Sequence, residues 1–195
     1  LLLSCYTYTV ITRKDISMSR KLEDLQPEFA KKIKILVANC ALRGITVVPY
    51  LTLRTPEEQA KLWRKGRRTT IIKTKIRELR SLGCDYLADC LEQAGPQEGE
   101  GKVTNALPGQ SWHQFGLACD LYWEKTKGNA CWNHNELNEN GLNGYKVMHE
   151  EAHKLGLTTI TLDNGGNVDW PHIQEPESGK PPYSLKEIND MFKGA

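Results

Sequence analysis

The sequence predicts an α+β fold in a single domain. Three observations point there. Apolar residues recur at helical spacing in several segments. Short β-branched apolar runs stand between them. The two kinds follow one another without the strand–helix–strand rhythm of a doubly wound sheet.

Leu22, Leu25, Phe29, Ile33, Leu36, Val37 and Cys40 repeat at helical spacing, and Gly44 stops the pattern. Residues 45–51 are apolar and β-branched, and read as a strand. Thr55, Pro56 and Glu58 supply an N-cap, a first-turn proline and the acid of a capping box, so a helix starts there and Gly66 ends it. Residues 70–94 are helical in two pieces broken near Gly83, and Gly95-Pro96 closes them. Residues 99–109 read as loop, with Val103-Thr104 a short strand. A strand over 117–123 follows, then a long Asn- and Gly-rich loop over 124–141. Residues 142–155 are helical with Gly156 as stop, 157–162 are β-like, Gly165-Gly166 is a turn and 168–174 is extended. Ser184 and Glu187 form a capping box for a last helix. No repeat and no linker marks a second domain.

Composition narrows the function classes. With 26 Lys+Arg against 24 Asp+Glu, the net charge of +2 favours neither disorder nor a globally basic nucleic-acid binder. No apolar run approaches the roughly 20 residues of a membrane helix. Six Cys are too few for a disulfide scaffold in 195 residues, and the absence of a CxxC pair argues against a Cys-based zinc ribbon. Residues 1–18 read as a tail and 19–195 as the folded domain. Leu1-Leu2-Leu3-Ser4-Cys5 could be what remains of a lipoprotein signal, but the charged n-region and longer apolar stretch are not there, and an upstream read-through or a tail is the plainer reading.

The informative stretch is Ser111-Trp112-His113-Gln114-Phe115-Gly116-Leu117-Ala118-Cys119-Asp120. On one helix His113 and Asp120 would stand about 10 Å apart along the axis, too far for one ion. On one straight strand they would face opposite sides. They converge only if the chain turns between them, and Gly116 can make that turn. A His and an Asp brought together are two of the three protein ligands a catalytic zinc needs. The third candidate lies in Asp169-Trp170-Pro171-His172, which Pro171 holds extended. There one of the two polar residues can ligate while the other stays beside the metal, so Asp169 is placed to act as general base on a zinc-activated water. No HExxH motif occurs, so the usual helical zinc-protease site is ruled out.

SWHQFGLACD resembles the S-x-H-x-x-G-x-A-x-D signature of the zinc metallopeptidases that cut peptidoglycan peptides, the D-Ala-D-Ala carboxypeptidase and L-alanyl-D-glutamate endopeptidase family, phage endolysins included. DWPHIQ resembles its second signature, an acidic residue three before a terminal His. Leu53-Arg54-Thr55 with Glu58-Gln59 resembles its strand-to-helix element, and residues 101–108 the lead-in to the first signature. The resemblance implies a small antiparallel sheet flanked by helices, the hedgehog/DD-peptidase-like fold. It implies Zn2+ held by His113, Asp120 and His172, Asp169 as base, Arg54 polarising the scissile carbonyl or its oxyanion, and Ser111 and Gln59 orienting ligands or substrate. Two departures stand out. Cys119 takes a position that is often aliphatic, and residues 70–95 form a longer helical insertion, which bears on substrate preference rather than on zinc.

These readings imply a lytic L-alanyl-D-glutamate-type endopeptidase acting on peptidoglycan stem peptides at the bacterial wall or periplasm. It would be monomeric, with no membrane span and no specific nucleic acid. A D-Ala-D-Ala carboxypeptidase would need a basic residue for the free carboxylate, and the sequence does not single one out. A non-catalytic wall-binding module of the same fold would have no need of Asp169. Release as a phage lysin, through a membrane hole made by another protein, and a secreted or lipid-anchored bacterial enzyme both fit that workplace. Residues 61–80 carry nine basic side chains against Glu78 alone. They read as a solvated helix face, with attraction to an anionic polymer as the alternative. His149 and His153, four apart on a helix beside Glu150-Glu151, read as surface residues, as does His134. Trp112, Trp123, Trp132 and Trp170 are either groove walls or core. Cys40 and Cys119 read as buried apolar residues, Cys84 and Cys90 as poorly placed to pair, and no obligatory disulfide is expected.

Overall fold

A computed structural model describes residues 18–99, 101–161, 167–179 and 183–194. The expected tail with Cys5 and the Gly165-Gly166 turn lie outside those residues. The fold is α+β, as expected, with six α-helices among the described residues and a five-stranded antiparallel sheet. The chain divides into two compact units.

The first unit holds Arg54–Phe115 and the last helix. Its helices are α2 (Pro56–Arg64), α3 (Thr69–Ser81), α4 (Asp85–Gln93) and α6 (Leu185–Lys193). α2 begins where the sequence places it. The Thr55 hydroxyl accepts from the Glu58 amide, and the Glu58 carboxylate accepts from the Thr55 amide. The break between α3 and α4 falls at Gly83, whose φ of +71° suits glycine. Ser184 and Glu187 cap α6 in the same reciprocal way. Ile72, Ile76 and Leu79 of α3 and Leu87, Ala88 and Leu91 of α4 are buried, the helical stripes turned inward. Many of the basic side chains of 61–80 have partners at home. Arg64 donates to the Leu91 carbonyl, and Arg67 donates to Thr104 O at 2.7 Å while lying over the Trp63 ring. Arg80 pairs with Asp89 and Glu92.

The second unit holds the sheet and two helices. A 3-10 turn at Leu22–Asp24 leads into α1 (Pro27–Leu42). The helix therefore starts later than its apolar spacing suggests, because Pro27 suits the first helical position. The strands are β1 (Val47–Leu51), β2 (Ala118–Thr126), β3 (Asn129–Cys131), β4 (Thr158–Thr161) and β5 (Asn167–Gln174). Their order is β1-β2-β5-β4, with β3 paired to β2. α1 and α5 (Gly144–Lys154) pack on each other and on the sheet. Phe29, Ile33, Leu36, Leu121, Trp123, Tyr145, Met148 and Ile173 form this core. Gly144 is part of the fit, because a Cβ there would sit 2.3 Å from the Trp123 ring.

Two local expectations need correction. Val103-Thr104 forms no strand, and side chains organise this stretch instead. Thr104 O takes the Arg67 guanidinium, and the Thr104 hydroxyl accepts from the Ala106 amide. Residues 124–141 are not all loop. β2 continues to Thr126 and turns back into β3, with Trp123 opposite Cys131. The turn is closed by Gly128, whose φ is +80° and whose amide donates to the Glu124 carboxylate at 2.8 Å.

Candidate metal centre

β2 and β5 bring the first two candidate ligands together. The strands are antiparallel, and Asp120 lies directly opposite His172. Cross-strand neighbours share a face, so both side chains project to the same side. The residues next to them, Cys119 and Ile173, are also opposite each other and are fully buried. Alternation thus sends Cys119 into the core and Asp120 out of it, as the sequence suggests.

His172 is held at both ring nitrogens. Nδ1 lies 2.9 Å from Asp120 Oδ1, and Nε2 lies 2.9 Å from Gln174 Oε1. An amide oxygen only accepts, so with Gln174 in this orientation Nε2 carries the proton. Nδ1 is left facing the Asp120 carboxylate. Burial works against a charge on His172, but the hydrogen bond and charge of Asp120, with smaller contributions from Gln174 and Asp169, raise its pKa above the ordinary value. A hydrogen-bond acceptor behind a ligating imidazole fixes its tautomer and its aim. Gln174 was not singled out from the sequence. The signal was available, since it stands two residues from His172 on a strand and therefore shares its face.

His113 sits in a 3-10 turn, Trp112–Phe115, and is buried. Its carbonyl accepts from the Arg54 amide at 3.3 Å. The turn ends at Gly116, with φ of +65°, where β2 is about to begin. A Cβ on Gly116 would meet the backbone of Asp24, Leu25 and Gln26 at 3.0–3.2 Å. The bend that the spacing of His113 and Asp120 requires is therefore made by a residue whose conformation and tight surroundings favour glycine. Among the described residues His113, Asp120 and His172 form a group able to hold a metal ion. All are buried, and one ligand atom from each lies within 4.8 Å of the others. Two imidazoles and a carboxylate suit zinc.

Asp169 is exposed on β5, opposite Ile160 of β4. Its charge is one of the influences that raise the His172 pKa. Arg54 donates through Nη1 to Gln59 Oε1 at 2.9 Å. Gln59 is fully buried and donates through Nε2 to the Ala106 carbonyl at 2.8 Å. Its contacts thus orient Arg54 and tie down the 104–106 segment. Ser111 is buried, and its amide shares the Gln114 side-chain oxygen with the amide of Gly109.

His149 departs from expectation. It is buried rather than on a solvated face, and its ring is parallel to that of Trp170 at 5.0 Å. The i, i+4 spacing with the exposed His153 places the two on different surroundings because α5 turns His149 toward β5. Trp123 is core, Trp112 is largely buried, and Trp132 is half exposed against Tyr50 and Tyr122.

Comparison with known proteins decides the family. Residues 22–164 match the model of the VanY family, described as D-alanyl-D-alanine carboxypeptidase. The chain belongs to the VanY family. It is a peptidase of the group that acts on peptidoglycan. This VanY-family chain is 28% identical over 156 residues to the peptidoglycan L-alanyl-D-glutamate endopeptidase CwlK of Bacillus subtilis (strain 168), covering 77% of this chain and 73% of CwlK. Among solved structures it is similar to a vancomycin-resistance D,D-pentapeptidase VanY in complex with Zn(II), at 16% identity and TM-score 0.43, covering 95% of this chain and 93% of that one. It is also similar to the LD-carboxypeptidase LdcB, at 20% identity and TM-score 0.44, covering 93% and 72%.

Proposed function

We propose that this chain is a zinc-dependent endopeptidase that hydrolyses the L-alanyl-D-glutamate bond of peptidoglycan stem peptides. One observation carries the reading: the buried group of His113, Asp120 and His172, whose ligand atoms lie within 4.8 Å of one another. These three residues would hold the zinc, His172 through Nδ1, since Nε2 is bonded to Gln174. Bound zinc supplies Lewis acidity and brings the pKa of a water near neutrality.

The chain's own residues do the rest. Asp169, three residues before His172 and open to solvent, takes the proton from the attacking water and returns one to the leaving amine. Arg54, aimed by Gln59, meets the charge that develops on the carbonyl oxygen. That charge is larger in the transition state than in the substrate, so the contact lowers the barrier. Ser111 helps to orient substrate. The workplace is the peptidoglycan layer, outside the cytoplasm, and the unit at work is a monomer.

The endopeptidase reading is favoured by CwlK, whose name states that bond. The description of the matching family favours a D-Ala-D-Ala carboxypeptidase as the second reading. The test of the mechanism is Asp169→Ala. The variant is expected to bind zinc as the parent does, while hydrolysis of purified peptidoglycan falls by about 10²–10⁴-fold, the range for loss of a general base. Cleavage at the parental rate would remove Asp169 from the mechanism.

A further inference from the structure

His149 has no part in the chemistry above, yet its position on α5 ties it to the strand that carries Asp169 and His172. Its Nε2 lies 2.8 Å from the carbonyl oxygen of Trp170. A carbonyl only accepts, so the ring must donate there. The ring is buried and nearly parallel to the Trp170 indole, at 5.0 Å and 5°. The exposed His134 ring is also parallel to that indole, at 5.2 Å and 10°.

The strand needs such a support. On the β4 side the register runs from Asp169 opposite Ile160 to Ile173 opposite Thr159, so three residues of β5 bulge between consecutive residues of β4. On the β2 side pairing reaches only as far as His172. Among the described residues, Trp170 and Pro171 therefore stand opposite no residue of either neighbouring strand, and Pro171 has no N–H to offer. The segment between Asp169 and His172 takes a hydrogen bond and ring contacts from α5 in place of strand pairing.

We propose that His149 is a positioning residue for the centre. Its N–H holds the Trp170 carbonyl, fixes the bulge of β5, and so sets the aim of Asp169 on one side and His172 on the other. The inference rests on the zinc reading for its consequence, while the contact itself does not. Neutral imidazole is the form that donates to one partner without carrying a charge into the core. Burial favours that form, pushing the His149 pKa down to about 4.

Two variants separate the donor from the ring. His149→Phe keeps an aromatic ring against Trp170 and loses the N–H. His149→Gln loses the stacked plane and keeps a donor. Zinc affinity is read by chelator competition, with thermal melts on each variant. The expected result is zinc affinity about 10–100-fold weaker in His149→Phe, the range for loss of a group that supports a ligand, and within a few-fold of the parent in His149→Gln. A Phe variant that binds zinc like the parent, or a Gln variant as weak as the Phe variant, would overturn the proposal. Long-range 1H–15N spectra of the metal-free parent supply the second readout, which needs neither variant to fold. They should show His149 protonated at Nε2 with slow exchange of that proton. A ring protonated at Nδ1 alone would also overturn the proposal. If the parent bound no zinc, the reading of the centre would fall, and these spectra would still decide the clamp.

Discussion

At the scale of the residue, His149 gives a measurable signature in stability. Its pKa is held down from the ordinary 6.5 to about 4, first by burial, with the neighbouring His153 adding to the effect and the Trp170 carbonyl opposing it. Between those values the unfolded chain binds the proton and the folded chain does not. Stability from this residue is therefore complete above pH 6.5 and falls as pH drops toward 4, by up to about 3 kcal/mol. Urea unfolding of the parent and of His149→Gln at pH 7 and pH 4.5 should show a smaller loss in the variant, because Gln does not titrate. Equal losses would place the His149 proton elsewhere. The same burial explains why sequence reading misplaced this residue. Glu150 beside it is exposed and bonds Arg43 at 2.7 Å, but Glu151 is itself buried in that ion pair, so the charged run is only half a solvated face.

At the scale of the element, the segment from Ser111 to Asp120 was the most legible part of the chain. The spacing demanded a turn, Gly116 was able to make it, and φ of +65° is the outcome. Gly116→Ala would force an L residue into that region and press a methyl against the backbone of residues 24–26. The expected cost is roughly 1–3 kcal/mol, read as a fall in the thermal midpoint. An unchanged midpoint would mean that the entry to β2 can rearrange freely. The capping boxes of α2 and α6 were equally legible, because both partners of each box are local in sequence. Gln174 and the hairpin of β2 and β3 were not. The role of Gln174 becomes visible once β5 is known to be a strand with His172 on its outer face. The hairpin hides in an Asn- and Gly-rich stretch whose pairing depends on Trp123 being fixed in the core beneath α5.

At the scale of the whole molecule, part of the charge is tied into the fold. Of the nine basic side chains over 61–80, Arg64 and Arg67 bond backbone carbonyls and Arg80 pairs with acids, while Lys61, Arg68, Lys73 and Arg77 stand exposed as on a solvated face. Among the described residues no helix is long and apolar enough to cross a membrane. Four cysteines, Cys40, Cys84, Cys90 and Cys119, are buried thiols, and burial pushes the pKa of Cys40 and Cys90 up to about 12, so they are poor nucleophiles and poor metal ligands. The proposed hydrolytic chemistry draws instead on the His and Asp residues of β2, β5 and the turn at 112–115. The most direct test is digestion of purified peptidoglycan by the zinc-loaded and the chelator-treated protein, with the new termini identified by mass spectrometry. The account predicts new D-glutamate amino termini with the zinc-loaded protein and none after chelation. Release of free D-alanine alone, or cleavage indifferent to the metal, would contradict it.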